Sequence, residues 1–360
     1  MMKHYLDKSV LEAAEERLRF VFDRFEHVHV SISGGKDSGL MLHLACAEAA
    51  RRGRKVTAFF LDQEAEYAAT IDVMRVMMSG AHVVPCWYQV PIHMTNATSY
   101  ASDMLYAWGP GEEWMRAKEP DSIHAAEGYP QRFYDFFDWW ENAQPRGSAF
   151  LVGLRAEEGI NRFRSVVKNP GLPDVPWSTK TKRPDSFKFY PIYDWGMGDV
   201  WKYTADNRVP YNRIYDLRFA LGLGIYNDNR VSNLIHEMAF RSLADLAAME
   251  PETYEKLLRR VPGIHCAARH ANSPHIYDAR ELPTAFKTWQ AYRDHLLATM
   301  PISEAKRQRF TKRFAKHAED ERVFQAQCKQ LLIGDWENNV PIVKPKGQVV
   351  DKFARWRKLF

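Results

Sequence analysis

Along the first half of the chain, apolar residues that alternate or run together take turns with apolar residues recurring every three to four positions. Residues 8–26 place Leu11, Leu18, Val21, Phe22 and Phe25 on one face of a helix. The run "HVHVSIS" that follows reads as a strand, and residues 37–52 as a helix carrying Leu40, Met41, Leu44 and Ala45. "KVTAFFL" (55–61) predicts a second strand, 64–79 a further helix, and "HVVPCWYQV" (82–90) a strand in spite of its proline. Strands alternating with helices predict parallel βαβ units, hence an α/β, doubly wound, mostly parallel sheet.

The pattern then loosens. Residues 92–130 hold short helical pieces broken by Gly and Pro, long for a connection and suited to a lid or substrate loop. "QRFYDFFDWWENA" (131–143) reads as an aromatic helix and "SAFLVGL" (148–154) as a strand. The Pro- and Lys-rich stretch 168–186 predicts an exposed loop, and "FKFYPIYDW" (187–195) the last strand. Beyond residue 197 helical patterns dominate, up to the Pro/Lys-rich "NNVPIVKPKGQVV". Two domains follow, an α/β domain over 1–217 and a mainly helical one over 218–360.

Composition narrows the classes. Hydrophobic residues make up 46% and charged residues 26% of the 360, ordinary for a chain that buries a large core. A net charge of +5 suits anionic ligands but is too small to point to nucleic acid. The four cysteines, Cys46, Cys86, Cys266 and Cys328, form no C-x-x-C pair, which argues against a zinc ribbon and fits a reducing compartment. The first residues are charged and amphipathic, and no apolar run reaches spanning length. A soluble, cytoplasmic protein without a membrane segment is expected.

The chemistry concentrates where the first strand meets the next helix, in "SGGKDS" (33–38). Gly34 and Gly35 allow an anion to approach backbone N–H groups at a helix N-terminus, where the helix dipole favours negative charge. Lys36 adds a positive charge, and Ser33 and Ser38 add hydroxyl donors. The spacing is not that of a Walker A loop. Asp37, directly after the lysine, makes sense where a divalent cation bridges it to phosphate oxygens.

In this strand–loop–helix setting the hexapeptide resembles the pyrophosphate loop (PP-loop) of the adenine-nucleotide α-hydrolase superfamily, which includes N-type ATP pyrophosphatases and phosphoadenosine phosphosulfate (PAPS) reductases. Two further blocks resemble the PAPS reductase-like branch. "LVGLRAEEGINR" carries Gly153, Arg155, Glu158 and Arg162 in register, with Gly159 where the branch often has Ser. "FYPIYDWGMGDVWKYTADNRVPYNRIYDL" carries Pro191, Asp194, Trp195, Asp199, Val200, Trp201, Tyr203, Pro210, Tyr211 and Asn212. The likeness covers residues 27–217 in the family's order. Physically, Arg155 and Arg162 offer guanidinium forks to phosphate or sulfate oxygens, and Glu158 is placed to orient one of them.

The resemblance implies an adenine nucleotide, ATP foremost, with Mg²⁺. Its implied binding set is Ser33, Gly34, Gly35, Lys36, Asp37, Ser38, Gly153, Arg155, Glu158 and Arg162, with Lys36, Asp37 and Arg155 as catalytic candidates and Asp37 as the metal ligand. Asp62 joins the set because it ends the second strand, and in the family that edge lies beside the adenosine. Cleavage of ATP between the α- and β-phosphates with adenylyl transfer is the expected activity. A sulfonucleotide (PAPS or APS) reductase is an alternative, set back because the C-terminal segment lacks the reductases' nucleophilic cysteine. Cys266, between His265 and His270, is its substitute thiol, and the bland reading is a bystander. A nucleotide-responsive binding factor is the third class, with Arg309, Lys312, Arg313 and Lys316 as a surface for nucleic acid or a protein, against a solvated helix face as the bland reading. The acceptor and any homo-oligomer are left open.

Overall fold

The computed structural model describes residues 7–95, 104–167, 169–223, 231, 233–235, 240–270, 279–317, 319–335, 338 and 342. It divides into two compact units, one of 1–93 and 106–233, the other of 94–105 and 234–360.

In the first unit, helix α1 (Val10–Arg24) begins with a capping box in which Ser9 and Glu12 satisfy each other's backbone N–H groups. Strand β1 (His27–Ser31), helix α2 (Lys36–Arg51), strand β2 (Val56–Leu61), helix α3 (Ala68–Met78) and strand β3 (Val83–Tyr88) then build two successive βαβ repeats. Strands β4 (Ile92–Thr95) and β5 (Met104–Ala107), which hold residues assigned to each unit, form a separate two-stranded sheet; in the first unit, helix α4 (Phe133–Ala143) then leads into strand β6 (Ser148–Val152). Helix α5 (Ile160–Val167), strands β7 (Ser178–Lys180) and β8 (Phe187–Phe189), and helices α6 (Met197–Asp206) and α7 (Ile214–Ala220) complete the unit. The six-stranded sheet runs in the order β3-β2-β1-β6-β8-β7, parallel except for β7. Strand order reverses between β1 and β6. That is the topological switch point, where the carboxyl ends of two strands open a crevice.

The strand residues divide by parity. Val28, Val30, Ala58, Phe60, Ala149 and Leu151 pack with Leu18, Val21 and Phe22 of α1, with Leu40 and Leu44 of α2, and with Ile71 and Met74 of α3. The opposite parity faces α4: Phe59 stacks on Trp140 at 4.0 Å, and His29 lies parallel to Phe150 and edge-on to Trp140. Both faces of the sheet are thus covered, as the near-continuous apolar strands require.

His29 is a polar residue inside this aromatic layer. Its Nε2 lies 3.1 Å from Ser148 Oγ, and burial, reinforced by the His27 charge, pushes the imidazole down to about 4 from an ordinary value near 6.5. A depressed folded-state value means that the unfolded chain takes up the proton first. The contribution to stability is therefore complete above pH 6.5 and lost as pH falls toward 4, by about 3 kcal/mol. His29→Phe is expected to flatten that part of the stability–pH curve in denaturant titrations; an unchanged slope would refute it.

Two expectations change here. The stretch 168–186 is not wholly an exposed loop: Ser178 and Thr179 are buried in edge strand β7, where Ser178 Oγ accepts from Leu172 N and donates to Val175 O, and Thr179 meets Tyr190 Oη at 3.0 Å. Hydrogen bonds, not apolar character, make that strand, so periodicity cannot reveal it. The strand over 187–195 stops at Phe189, because Pro191 has no N–H for a ladder and the chain turns.

In the second unit, α8 (Phe240–Met249), α9 (Pro251–Arg260) and α10 (Ile264–His270) pack on one another, as do α11 (Trp289–Thr299) and α13 (Glu321–Leu332). Helix α12 (Glu304–Phe314) adds Phe310 and Phe314 to a core with Tyr292, Leu296, Val323 and Leu331. The long pattern from Ser303 to Leu332 is thus two helices, each opened by its own cap, Ser303 and Asp320. No helix among the described residues is long and apolar enough to cross a membrane.

Candidate functional site

The loop after β1 is locked from three directions. Gly34 adopts φ +71°, and a Cβ there would stand 2.7 Å from Thr70 Cγ2. Asn212, fully buried, donates from Nδ2 to the Gly34 carbonyl (3.2 Å) and to Thr70 Oγ1 (2.9 Å) while its Oδ1 accepts from Ile214 N (3.0 Å). Gly153, at the end of β6, lies against the first turn of α2, where an added Cβ would fall 2.5 Å from the Asp37 carbonyl oxygen. Only a residue without a side chain lets β6 and α2 approach so closely.

Helix α2 takes no cap from the side chain of its N-cap residue, Gly35, and its first amide, Lys36 N–H, donates to the Tyr215 hydroxyl. Its leading amides and dipole are therefore directed at the switch-point crevice, an arrangement that holds anions. Ser38 is turned inward: its hydroxyl donates to Gly35 O (3.0 Å) and accepts from Ser33 N (3.2 Å), which braces the loop. Ser33 is exposed at the mouth.

Charges are layered behind the amides. The Lys36 ammonium is 3.0 Å from Asp37 Oδ2, and Asp37 Oδ1 accepts from Arg155 Nε at 2.6 Å. Arg155 is only 2% exposed, and its guanidinium also lies 3.8 Å from Glu157 and from Glu158. Arg162 approaches Glu158 at 3.3 Å from a half-exposed position. Burial, then the nearby Asp37 carboxylate, holds the Glu158 carboxyl above its usual range. Five of the expected residues, Lys36, Asp37, Arg155, Glu158 and Arg162, thus form one alternating chain of charges drawn from α2, the turn after β6 and α5. Asp37 is the hinge of that chain. Each of its oxygens keeps a lone pair beyond its present partner, so the carboxylate suits a divalent cation arriving with phosphate oxygens.

Asp62 is arranged differently. It ends β2, but its carboxylate is fully buried: Oδ1 accepts from Glu64 N, and Oδ2 accepts from Trp87 Nε1, Gln89 Nε2 and Arg116. With those donors in place it organises the strand tip rather than facing the crevice. Neighbouring Glu64 holds Trp108 N (2.6 Å) and Met115 N (3.2 Å), so the long segment after β5 is fastened to β2. Desolvation, then the Asp62 charge, pushes Glu66 up to about 8. In the second unit, Arg313 is turned inward to Gln330 Oε1 and Asp335 O, whereas Arg309, Lys312 and Lys316 are exposed. Burial pushes the thiols of Cys46 and Cys86 up to about 11 and that of Cys328 up to about 12, while Cys266 is exposed on α10.

Sequence reasoning passed over Tyr215. Its Oη accepts from the Lys36 N–H at 3.0 Å, and its ring lies 5.5 Å from the ammonium of the same lysine. The clue was its position three residues after Asn212, on the helix that this asparagine starts.

A parallel sheet, a glycine loop at its switch point and a lysine–aspartate pair at the helix N-terminus define a nucleotide-loop class of α/β protein. The chain belongs to the phosphoadenosine phosphosulfate reductase domain family, whose model matches residues 27–243, within the PP-loop superfamily of adenine-nucleotide α-hydrolases. A domain of unknown function (DUF3440) matches residues 222–322. The chain is 30% identical over 321 residues to the uncharacterized protein YbdN of Escherichia coli K12, covering 84% of this chain and 78% of that one. An adenosine 5'-phosphosulfate reductase of Oceanobacillus iheyensis is 33% identical over 76 residues, 21% of this chain and 28% of that enzyme's length. Among solved structures, the PAPS reductase of Candida auris in its phosphate complex aligns with a TM-score of 0.32 at 14% identity, covering 60% of this chain and 94% of that one. The FMN adenylyltransferase of Candida glabrata with FAD and pyrophosphate aligns with a TM-score of 0.36 at 12% identity, covering 57% and 58%.

Proposed function

We propose that the chain binds ATP through Ser33–Ser38 and cleaves it between the α- and β-phosphates, releasing pyrophosphate and leaving AMP or an adenylylated acceptor. The observation that carries this reading is the N-terminus of α2, which its glycine N-cap leaves open beyond the Lys36 amide, with the Lys36 ammonium beside it and Arg155 buried behind Asp37. The amides and Lys36 bind the β- and γ-phosphates, which leaves the α-phosphorus open to in-line attack by an acceptor oxygen or nitrogen. As the bond from the α-phosphorus to the bridging oxygen breaks, negative charge grows on the pyrophosphate, where Lys36 and the helix dipole stabilise it. Arg155 fixes Asp37, and through it the lysine, so neither must reorganise during the step. Asp37 would hold Mg²⁺, which when bound would supply further neutralisation of the leaving group.

The test is a product analysis. With ATP and Mg²⁺ the expected products are AMP (or an adenylyl adduct) and pyrophosphate, and ADP with phosphate as the main products would exclude the mechanism. Lys36→Ala is expected to weaken ATP binding roughly ten- to a hundred-fold, the value of a charge-assisted contact. One observation favours a second reading, sulfonucleotide reduction: Cys266 is exposed while burial disfavours the thiolate at the other three cysteines. Release of sulfite from APS or PAPS with thioredoxin, abolished by Cys266→Ser, would put that reading first; no sulfite is expected.

A further inference from the structure

We propose that Tyr215 is itself an anion contact of the PP-loop, its phenolic O–H donating to an oxygen of the bound pyrophosphate group. The inference rests on the nucleotide reading above and adds to it an uncharged donor contributed from α7. Tyr215 is 5% exposed, and its Oη sits at the very start of α2: it accepts from Lys36 N at 3.0 Å, and a Cβ on Gly35 would lie 3.6 Å from it. A phenol has one proton to donate. With its accepting side taken by the Lys36 amide, that proton is left to turn toward the crevice, and among the described residues no acceptor takes it.

The amides that follow Lys36 point the same way along the first turn, so an anion on them comes within reach of the hydroxyl. Two neighbours hold the ring in place. Trp201 meets it edge-on at 5.3 Å and 84°, and Asn212 begins the helix that carries it. Burial holds the phenol well above its ordinary value, which keeps the hydroxyl protonated, and therefore a donor, throughout the working range of pH. Lys36 and Tyr215 then divide the work. The lysine supplies charge that any anion feels, and the hydroxyl supplies direction, rewarding an oxygen placed beside the first amide.

The experiment is isothermal calorimetry of wild type and Tyr215→Phe with inorganic pyrophosphate, ATP and adenosine, with thermal unfolding to verify the fold. The variant is expected to bind pyrophosphate and ATP ten- to a hundred-fold more weakly and adenosine as wild type does. Unchanged affinity for the two anions overturns the proposal. Tighter binding overturns it as well, because the hydroxyl would then be a stand-in that the anion must displace. An equal loss for adenosine also overturns it, assigning Tyr215 a purely structural role. A wild-type chain that binds neither pyrophosphate nor ATP removes the nucleotide reading and the Tyr215 contact together. Should Tyr215→Phe not fold, Tyr215→Met, whose flexible side chain fills irregular space, asks the same question.

Discussion

Gly153→Ala is expected to cost the protein both stability and anion binding, although it adds a single uncharged methyl group. The new Cβ would stand 2.5 Å from the Asp37 carbonyl oxygen and 2.8 Å from Ser38 Cα. Both are backbone atoms of α2, so no rotamer change relieves the clash. Helix and strand must separate, and overpacking of this kind costs about 1–3 kcal/mol or more. Because the atoms that move carry the leading amides of α2, nucleotide affinity is expected to drop at least about tenfold along with the melting temperature. Calorimetry on the variant decides: a lowered melting temperature with undiminished ATP affinity would mean that the α2 N-terminus is not the anion's seat.

Arg155→Met should be the most damaging single change in the site. It removes the buried cation between Asp37 and Glu158 and leaves two carboxylates near each other, Asp37 with Lys36 and Glu158 with the half-exposed Arg162 as their remaining close cations. Breaking a buried pair from one side costs about 3–5 kcal/mol. The loss depends on pH in a defined direction. The Glu158 carboxyl already lies above its usual range, and losing the arginine raises it further, so the folded variant holds protons more tightly than its unfolded chain does. The deficit is therefore greatest at neutral pH and shrinks as the solution is acidified through the carboxylate range. Denaturant titrations at pH 7 and pH 5 should show this convergence. A deficit that is constant with pH would indicate lost packing, not an unbalanced charge.

The α/β layering was legible because β2 and β6 are runs of mostly apolar residues, β1 alternates valines with polar residues, and the helices between them repeat at helical spacing. The PP-loop was legible because "SGGKDS" is a local motif whose residues fold beside one another. The charge chain was only half legible: Arg155, Glu158 and Arg162 could be grouped by sequence, but their junction with Asp37 spans 118 residues and needs the sheet to form it. Asp62 illustrates the opposite limit. Its place at a strand end was plain, yet the donors that enclose it come from Trp87, Gln89 and Arg116, and nothing in the local pattern announces their convergence. Ser178 and Thr179 escaped notice because a strand buried through hydrogen bonds has no apolar signature.

The latch that Asn212 places on Gly34 joins residues 178 apart, and the Tyr215–Lys36 bond joins residues 179 apart. During synthesis the glycine loop therefore leaves the ribosome long before its lock exists. At about 5–20 residues per second the interval is on the order of ten to forty seconds. A nascent chain that has reached residue 200 holds every strand of the main sheet, yet the segment that shapes its anion seat has not been made. The loop's final geometry is therefore among the last features this unit acquires, set only when Asn212 and Tyr215 dock on it.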